Sequence, residues 1–280
     1  MLCFADKPLS FTYWFWIQIY FIDIELQWVA LKHFMHKVNL FGIDYAVTDY
    51  HHASTVVLEK ALDQESFSVL ALPVHGIVEF RRDEEFRRAV QAADLIVPDG
   101  QPVRWAMNRF YKTALKDRVY GPKLMNEVLA KAQKHKLRVF LYGGSTPKVL
   151  DDFESYISRH FPKLKIVGKY REATFGKETI DIDLLVVAKP DIVLVGLGCP
   201  EQEKWIARNQ SKLDAVFMGV GAAFSFYSGA TKMAPAWMQD RGLEWLYRLY
   251  KEPRRLWRRY FYYNSYFIWL VVKKVFGLST

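Results

Sequence analysis

The stretch Asp191-Ile-Val-Leu-Val-Gly-Leu-Gly-Cys-Pro-Glu-Gln-Glu-Lys-Trp205 decides how this chain is read. Ile192 to Val195 is a short apolar, β-branched run, the pattern of a strand buried on both faces. It breaks at Gly196 and Gly198, turns at Pro200 and restarts as an amphipathic helix from Glu201. A buried parallel strand, a glycine turn and a helix opening make an anion site, because the free amides of the first helical turn point at the ligand. Gln202 and Glu203 fall in that first turn, placed to hydrogen-bond a base or a sugar. An ordinary strand-loop-helix connection would look the same. The spacing Gly-x-Gly-x-x-Glu is not the dinucleotide fingerprint, which has glycine or alanine in place of Glu201.

Working outward, short apolar runs alternate with helical patterns from Val38 onward. Strands are expected around Gly42 as a hairpin-like start, then at Ser68–Leu72, Leu95–Val97, Arg138–Tyr142, Lys165–Val167, Ile192–Val195 and Ala215–Met218. Helices are expected at Tyr50–Asp63, with Ser54 as a local cap, and at Gly76–Ala92, Pro102–Tyr111, Pro122–His135, Lys148–Phe161, Thr179–Lys189 and Glu201–Gln210. This alternation signals an α/β domain: a twisted, mainly parallel, Rossmann-like sheet with helices on both faces. The domain spans residues 37–235. There are no repeats and no low-complexity linker.

The two ends differ from this core. Residues 1–36 are rich in aromatic and β-branched side chains, with Asp23 and Glu25 interrupting the apolar run. The run falls short of the roughly 18 apolar residues of a spanning helix and lacks the basic start and cleavage site of a secretory signal. An interfacial membrane segment, a poorly ordered extension and a mis-set start codon all fit. Residues 236–280 form a basic, aromatic helical appendage, divided at Pro253. Arg248, Lys251, Arg255 and Arg258 fall on roughly one helical face. Such a segment suits a membrane surface or nucleic acid, or packs on the core with its charges solvated.

The formal net charge of +9 favours anionic partners. The two cysteines, Cys3 and Cys199, lie too far apart in sequence to suggest a framework or a metal site, so a reducing compartment is the simpler reading. In open α/β sheets ligands bind at the carboxyl ends of the strands. The loops Pro73–Gly76, Pro98–Gln101, Gly143–Thr146 and Gly196–Glu203 should therefore converge. Asp99, a lone carboxylate beside a glycine at a strand end, is a candidate general base; the alternative is a cap for the helix near Pro102. His75 is a second candidate polar group. Asp181-Ile182-Asp183 spells an Asp-x-Asp pattern, but at a helix start, where acids suit the dipole. No metal site and no cofactor are expected.

Ordered motifs carry a resemblance. Val97-Pro-Asp-Gly100, Arg118-Val-Tyr-Gly121, Phe140-Leu-Tyr-Gly-Gly-Ser145 and Gly196-Leu-Gly-Cys-Pro-Glu-Gln-Glu-Lys-Trp205 are followed by Gly219-Val-Gly-Ala-Ala-Phe224, Ser228-Gly229, Arg241-Gly-Leu-Glu-Trp-Leu-Tyr-Arg248 and Glu252-Pro-Arg-Arg255. From about Val38 to Tyr260 the chain resembles the WecG/TagA/CpsF glycosyltransferases, glycosyltransferase family 26; residues 1–36 and the final tail lie outside the match.

The resemblance implies an inverting, metal-independent transfer from a nucleoside diphosphate sugar, usually a uridine diphosphate sugar. The acceptor is a sugar on a polyprenyl diphosphate at the cytoplasmic face of the inner membrane. It implies Asp99 as the base and Arg118 as a donor or acceptor ligand. Gly143, Gly144, Gly196, Gly198 and Gln202 match the nucleotide-binding edge. Arg248, Arg255 and Arg258 match appendage arginines that reach the diphosphate. The products would be exopolysaccharide or another envelope glycan. Self-association is left open, and no nucleic-acid partner is expected. One departure stands out: where relatives carry Thr and Asn, this chain has Ala71 and Pro73, with His75 next to them. Rival classes are a non-catalytic basic protein binding nucleic acid or membrane through the appendage, a dinucleotide oxidoreductase, and a family member turned regulatory.

Overall fold

A computed structural model describes residues 35–171 and 182–278. The aromatic extension up to residue 34, and Asp181 of the Asp-x-Asp pattern, lie outside the described residues. Lys37–Thr280 form one compact unit.

The described residues open with an antiparallel hairpin, β1 (Lys37–Leu40) and β2 (Ile43–Ala46), turning at Phe41-Gly42. Six strands then build one parallel sheet: β3 (Phe67–Leu72), β4 (Leu95–Pro98), β5 (Arg138–Gly143), β6 (Lys165–Tyr170), β7 (Ile192–Gly196) and β8 (Val216–Gly219), in the spatial order 4-3-8-7-5-6. Helices follow the strands: α1 (Tyr50–Leu62), α2 (Val74–Arg82), α3 (Glu84–Gln91), α4 (Gln101–Tyr111), α5 (Gly121–Ala132), α6 (Pro147–His160), α7 (Ile182–Ala188), α8 (Glu201–Asn209) and the short α9 (Ala223–Tyr227). The appendage contributes α10 (Ala236–Asp240), α11 (Glu244–Lys251) and α12 (Pro253–Val275). The α/β reading of the sequence therefore holds.

Successive strand side chains alternate between faces. Leu70, Leu72, Phe140, Tyr142, Val193, Val195 and Phe217 join a core with Ile77, Phe86 and Ile206 of α2, α3 and α8. Their neighbours Val69, Val139, Leu141, Leu194 and Val216 are buried as well. A sheet covered on both faces needs such near-continuous apolar strands. At the opposite end from the carboxyl edge, Asp191 is structural: its carboxylate accepts from the Arg138 amide at 2.7 Å and from the Arg138 guanidinium at 2.6 Å.

Two local readings change. The single helix expected over Gly76–Ala92 is two, because Asp83 takes an extended backbone and its carboxylate caps α3 by accepting from the Phe86 amide at 3.0 Å. Aspartate gains more at that boundary than inside a helix. The cap of α1 is Asp49, accepting from His52 N at 2.8 Å. Ser54 lies buried inside α1, its hydroxyl donating back to the Tyr50 carbonyl.

The appendage packs on the core. Phe267 and Leu270 of α12 are buried in the main cluster with Phe41 of the hairpin turn. Each large buried apolar side chain contributes about 1.5–3 kcal/mol. The Tyr263 hydroxyl donates to Glu79 of α2, and Lys274 donates to the Tyr111 hydroxyl at 2.8 Å while lying over the rings of Phe41 and Phe110.

Gly143, which ends β5, has φ +107, and a Cβ there would meet the Gly196 backbone at 2.7 Å. Gly143→Ala is therefore expected to lower stability by about 2 kcal/mol or more, from left-handed strain plus displacement of β7. Urea denaturation of the two proteins measures it.

Candidate active site

The carboxyl ends of β3, β4, β5, β7 and β8 each run within a few residues into a helix, so five loops meet along one edge. Parallel pairing places Leu72 beside Pro98 and Gly143 beside Gly196. The loop that ends at Tyr120 joins them because Val119 donates its amide to the Pro98 carbonyl at 2.9 Å.

Asp99 sits in this corner. The cap position of α4 belongs to Gly100, whose φ of +91 turns the chain, and no side chain caps that helix. The Asp99 carboxylate instead faces the Gly121 amide at 3.5 Å and the Arg118 guanidinium at 4.0 Å. Burial, only partly countered by Arg118, pushes its pKa up to about 6, with Glu244 adding to the rise. About 15% of its side chain remains accessible, enough for a hydroxyl to reach it.

Arg118 is held from the other side by the appendage. Its guanidinium donates to Glu244 at 2.8 Å and lies 4.5 Å over the ring of Tyr120. The Tyr120 hydroxyl donates to the other Glu244 oxygen at 3.1 Å. Arg248, one helical turn further along α11, reaches that oxygen at 3.3 Å and lies 4.9 Å over Phe226 of α9. The preceding turn is clamped to α4. Gln101 donates to the Asp240 carbonyl at 3.3 Å, and Gly242 is so close that a Cβ would lie 2.9 Å from that of Gln101.

The structure thus brings together Asp99, Arg118 and Arg248. It places the other candidates differently. Arg258 is exposed on α12 and stacks 5.3 Å from the Trp257 ring. Arg248 faces inward, so the two do not share a helical face: the chain breaks at Glu252-Pro253 and α12 starts with a new phase. The side chain of Arg255 lies outside the described residues. His75, on the first turn of α2, packs against Tyr263 of α12 with ring centroids 6.0 Å apart. Ala71 lies on β3 next to Gly121, and Pro73 precedes α2.

On the glycine side, Gly144 donates to the Gly196 carbonyl at 3.0 Å, locking two loops together, and the Cβ direction of Gly198 points into open space. Gln202 and Glu203 turn inward. Gln202 accepts from the Gly221 amide at 2.9 Å and donates to Glu203 at 2.9 Å. Burial pushes Glu203 up to about 7. Beside the Gly143-Gly144 turn an open groove of about 510 Å³ is lined by Ser145, Thr146, Lys148, Ser225, Ser228 and Thr231. Sequence reasoning missed Glu244 and the Tyr120 hydroxyl. The signal was the i,i+4 pairing of Glu244 with Arg248 in a segment read mainly for its positive charge.

Comparison with known proteins fits these motifs. The family model described as "Glycosyl transferase WecG/TagA/CpsF family" matches residues 38–280. The chain belongs to the WecG/TagA/CpsF family. It is similar to the N-acetylglucosaminyldiphosphoundecaprenol N-acetyl-beta-D-mannosaminyltransferase of Bacillus subtilis (strain 168), 34% identical over 205 residues, covering 72% of this chain and 78% of that protein. The Bacillus spizizenii enzyme of the same name is 32% identical over 78% of this chain and 82% of its own. That of Staphylococcus aureus (strain MW2) is 29% identical over 79% of this chain and 87% of its own. As a WecG/TagA/CpsF member the chain is a hexosyltransferase. The family match runs through the final tail, which the sequence motifs alone had left outside it.

Because Asp99 is harder to ionise in the folded protein than in the unfolded chain, its charge costs stability. That cost appears as pH rises from the unfolded carboxylate range near 4 through about 6. Asp99→Asn removes the ionisable group. The variant is expected to be more stable than the parent at pH 7.5, by ~2–3 kcal/mol, with the gap closing toward pH 4. Denaturant midpoints at the two pH values check the sign.

Proposed function

We propose that this protein moves a sugar from a nucleoside diphosphate sugar, with uridine as the expected base, to a polyprenyl-diphosphate-linked glycan in exopolysaccharide or other envelope-glycan assembly. The observation that carries the reading is a largely buried carboxylate of raised pKa set beside the buried guanidinium of Arg118 and the half-buried one of Arg248, at the carboxyl edge of a parallel sheet. The acceptor class is supported by the relatives, whose name specifies a diphosphoundecaprenol-linked sugar.

The chemistry is a single displacement. The acceptor oxygen attacks the anomeric carbon as Asp99 takes its proton. The bond from that carbon to the diphosphate oxygen breaks on the opposite face, inverting the configuration. The leaving nucleoside diphosphate gains charge, and Arg118 and Arg248 are placed to favour that charge over the ground state. Fixed guanidiniums supply the stabilisation that a divalent ion gives in other transferases, so the reaction is proposed to need no metal. The groove lined by Ser145, Ser225 and Ser228 offers hydroxyl groups for the donor.

The acceptor is lipid-linked, and α12 suits a lipid surface. Its buried face carries Leu256, Phe267 and Leu270, while Trp257, Phe261, Ile268, Val272 and Val275 form an exposed stripe on the other side. Arg258 and Lys273 lie over the rings of Trp257 and Trp269. Among the described residues no helix is long and apolar enough to cross a membrane. We therefore assign α12 to lying on the cytoplasmic face of the membrane, apolar side inward and cations toward anionic headgroups. Arg255 and Arg258 would then serve the lipid diphosphate or the headgroups.

Asp99→Ala is expected to lower transfer by about 10²- to 10⁴-fold while donor binding persists. The assay follows nucleoside diphosphate released from a panel of uridine diphosphate sugars with a lipid-linked acceptor. Turnover at the parent rate would remove Asp99 from the mechanism. Replacing Trp257, Phe261 and Ile268 together with Ser should abolish sedimentation with anionic vesicles and leave the fold intact by circular dichroism. Undiminished sedimentation would move the anchor elsewhere.

A further inference from the structure

Glu244 stands at the junction of the appendage and the catalytic corner, and apart from its i,i+4 pairing with Arg248 nothing in its sequence context marks it for that place. Its residue is 9% exposed. One carboxylate oxygen is 2.8 Å from Arg118; the other accepts from the Tyr120 hydroxyl at 3.1 Å and lies 3.3 Å from Arg248. Arg118 stands between two acids, and the distances are unequal: 2.8 Å to Glu244 but 4.0 Å to Asp99. The guanidinium is thus committed to the appendage and only loosely engaged with the strand-end acid.

We propose that Glu244 is a positioning residue for the transfer: it docks α11 over the sheet edge through Arg118 and Tyr120, and by drawing Arg118 to itself it keeps that cation from closing on Asp99. This rests on Asp99 being the base. A carboxylate in a tight pair with a guanidinium is both a weaker base and a blocked one, because its lone pairs are occupied. Held at 4.0 Å, Arg118 can still steer the diphosphate while leaving Asp99 free to accept a proton. The appendage therefore does more than cover the site. Its docking sets the basicity of a residue on the core.

The charged and titratable groups around Asp99 come from several elements. Arg118 and Tyr120 lie in the loop before α5, Glu244 and Arg248 on α11, Tyr45 on β2 and Tyr50 on α1. The three tyrosines are all held above their ordinary range, by burial first, and stay neutral. The two arginines stay charged. Glu244 is the acid facing Asp99 across Arg118, and neutralising it acts in one direction. The remaining cations then pull harder on Asp99, and a nearby negative charge is lost.

The test is a carbon-13 carboxylate titration of the full-length protein, with the Asp99 signal assigned by its absence from Asp99→Asn. The parent midpoint is expected near 6. In Glu244→Gln it should fall by about one unit or more, and the acid limb of kcat/KM should move with it. Loosening the appendage would also expose Asp99 and lower its midpoint, because burial is the main cause of the rise. Hydrogen exchange of the α11 amides is therefore read alongside: a shift with α11 still protected supports the proposal, and a shift seen only with α11 deprotected overturns it. An unchanged Asp99 midpoint in Glu244→Gln overturns the proposal. If Glu244→Gln does not fold, the titration is read on Glu244→Asp, whose shorter side chain withdraws the carboxylate from Arg118; an unchanged midpoint there overturns it equally. Failure of the underlying reading looks different: Asp99→Asn would retain transfer even though the midpoint moves with Glu244.

Discussion

A carboxylate taken out of water must be paired, and Glu244 is paired three ways. That requirement ties the appendage to the core more firmly than apolar packing alone. Breaking such a buried pair on one side typically costs about 3–5 kcal/mol, because the partner charge is left stranded. Arg118 is caught in the same bind between Glu244 and Asp99. The geometry of the corner around Asp99, the position of α11 and the state of Asp99 are thus aspects of one charge balance.

The appendage has two attachments with different physics. At its start, hydrogen bonds and ion pairs hold α11 near Gln101, Arg118 and Tyr120. Along α12, buried Phe267 and Leu270 and the Lys274 ammonium among aromatic rings hold the helix beside the hairpin and α4. The apolar attachment is tolerant of exact position, whereas the polar one is not. The polar contact lies next to Asp99, where placement matters to within fractions of an ångström. The far side of α12 is exposed, with Trp257, Phe261 and Ile268 on it.

Much of the fold was legible because a buried parallel sheet imposes a simple code. Each strand from β3 to β8 except the edge strand β6 reads as an apolar run, and most stop at glycine or proline near the observed end. Errors arose where a side chain competed with the pattern, as when Asp83 capped a new helix inside an apparently continuous one. The site was legible only in part. Asp99 stood out through its place after a strand. Gln202 and Glu203 shared that advantage, yet they face inward, because Gly221 and burial claim them. Loop position says which residues are near the edge, not which way they turn.

The order and type of the elements, the parallel sheet and the location of the ligand edge follow from the sequence itself, since apolar periodicity and glycine placement act over a few neighbouring residues. The family motifs add which of those residues are proposed to take part in glycosyl transfer. Only the tertiary structure joined Glu244 to Arg118 across 126 residues of chain. No local pattern encodes that contact, because two distant charges find each other only after the sheet, the loop before α5 and the appendage have all taken their places.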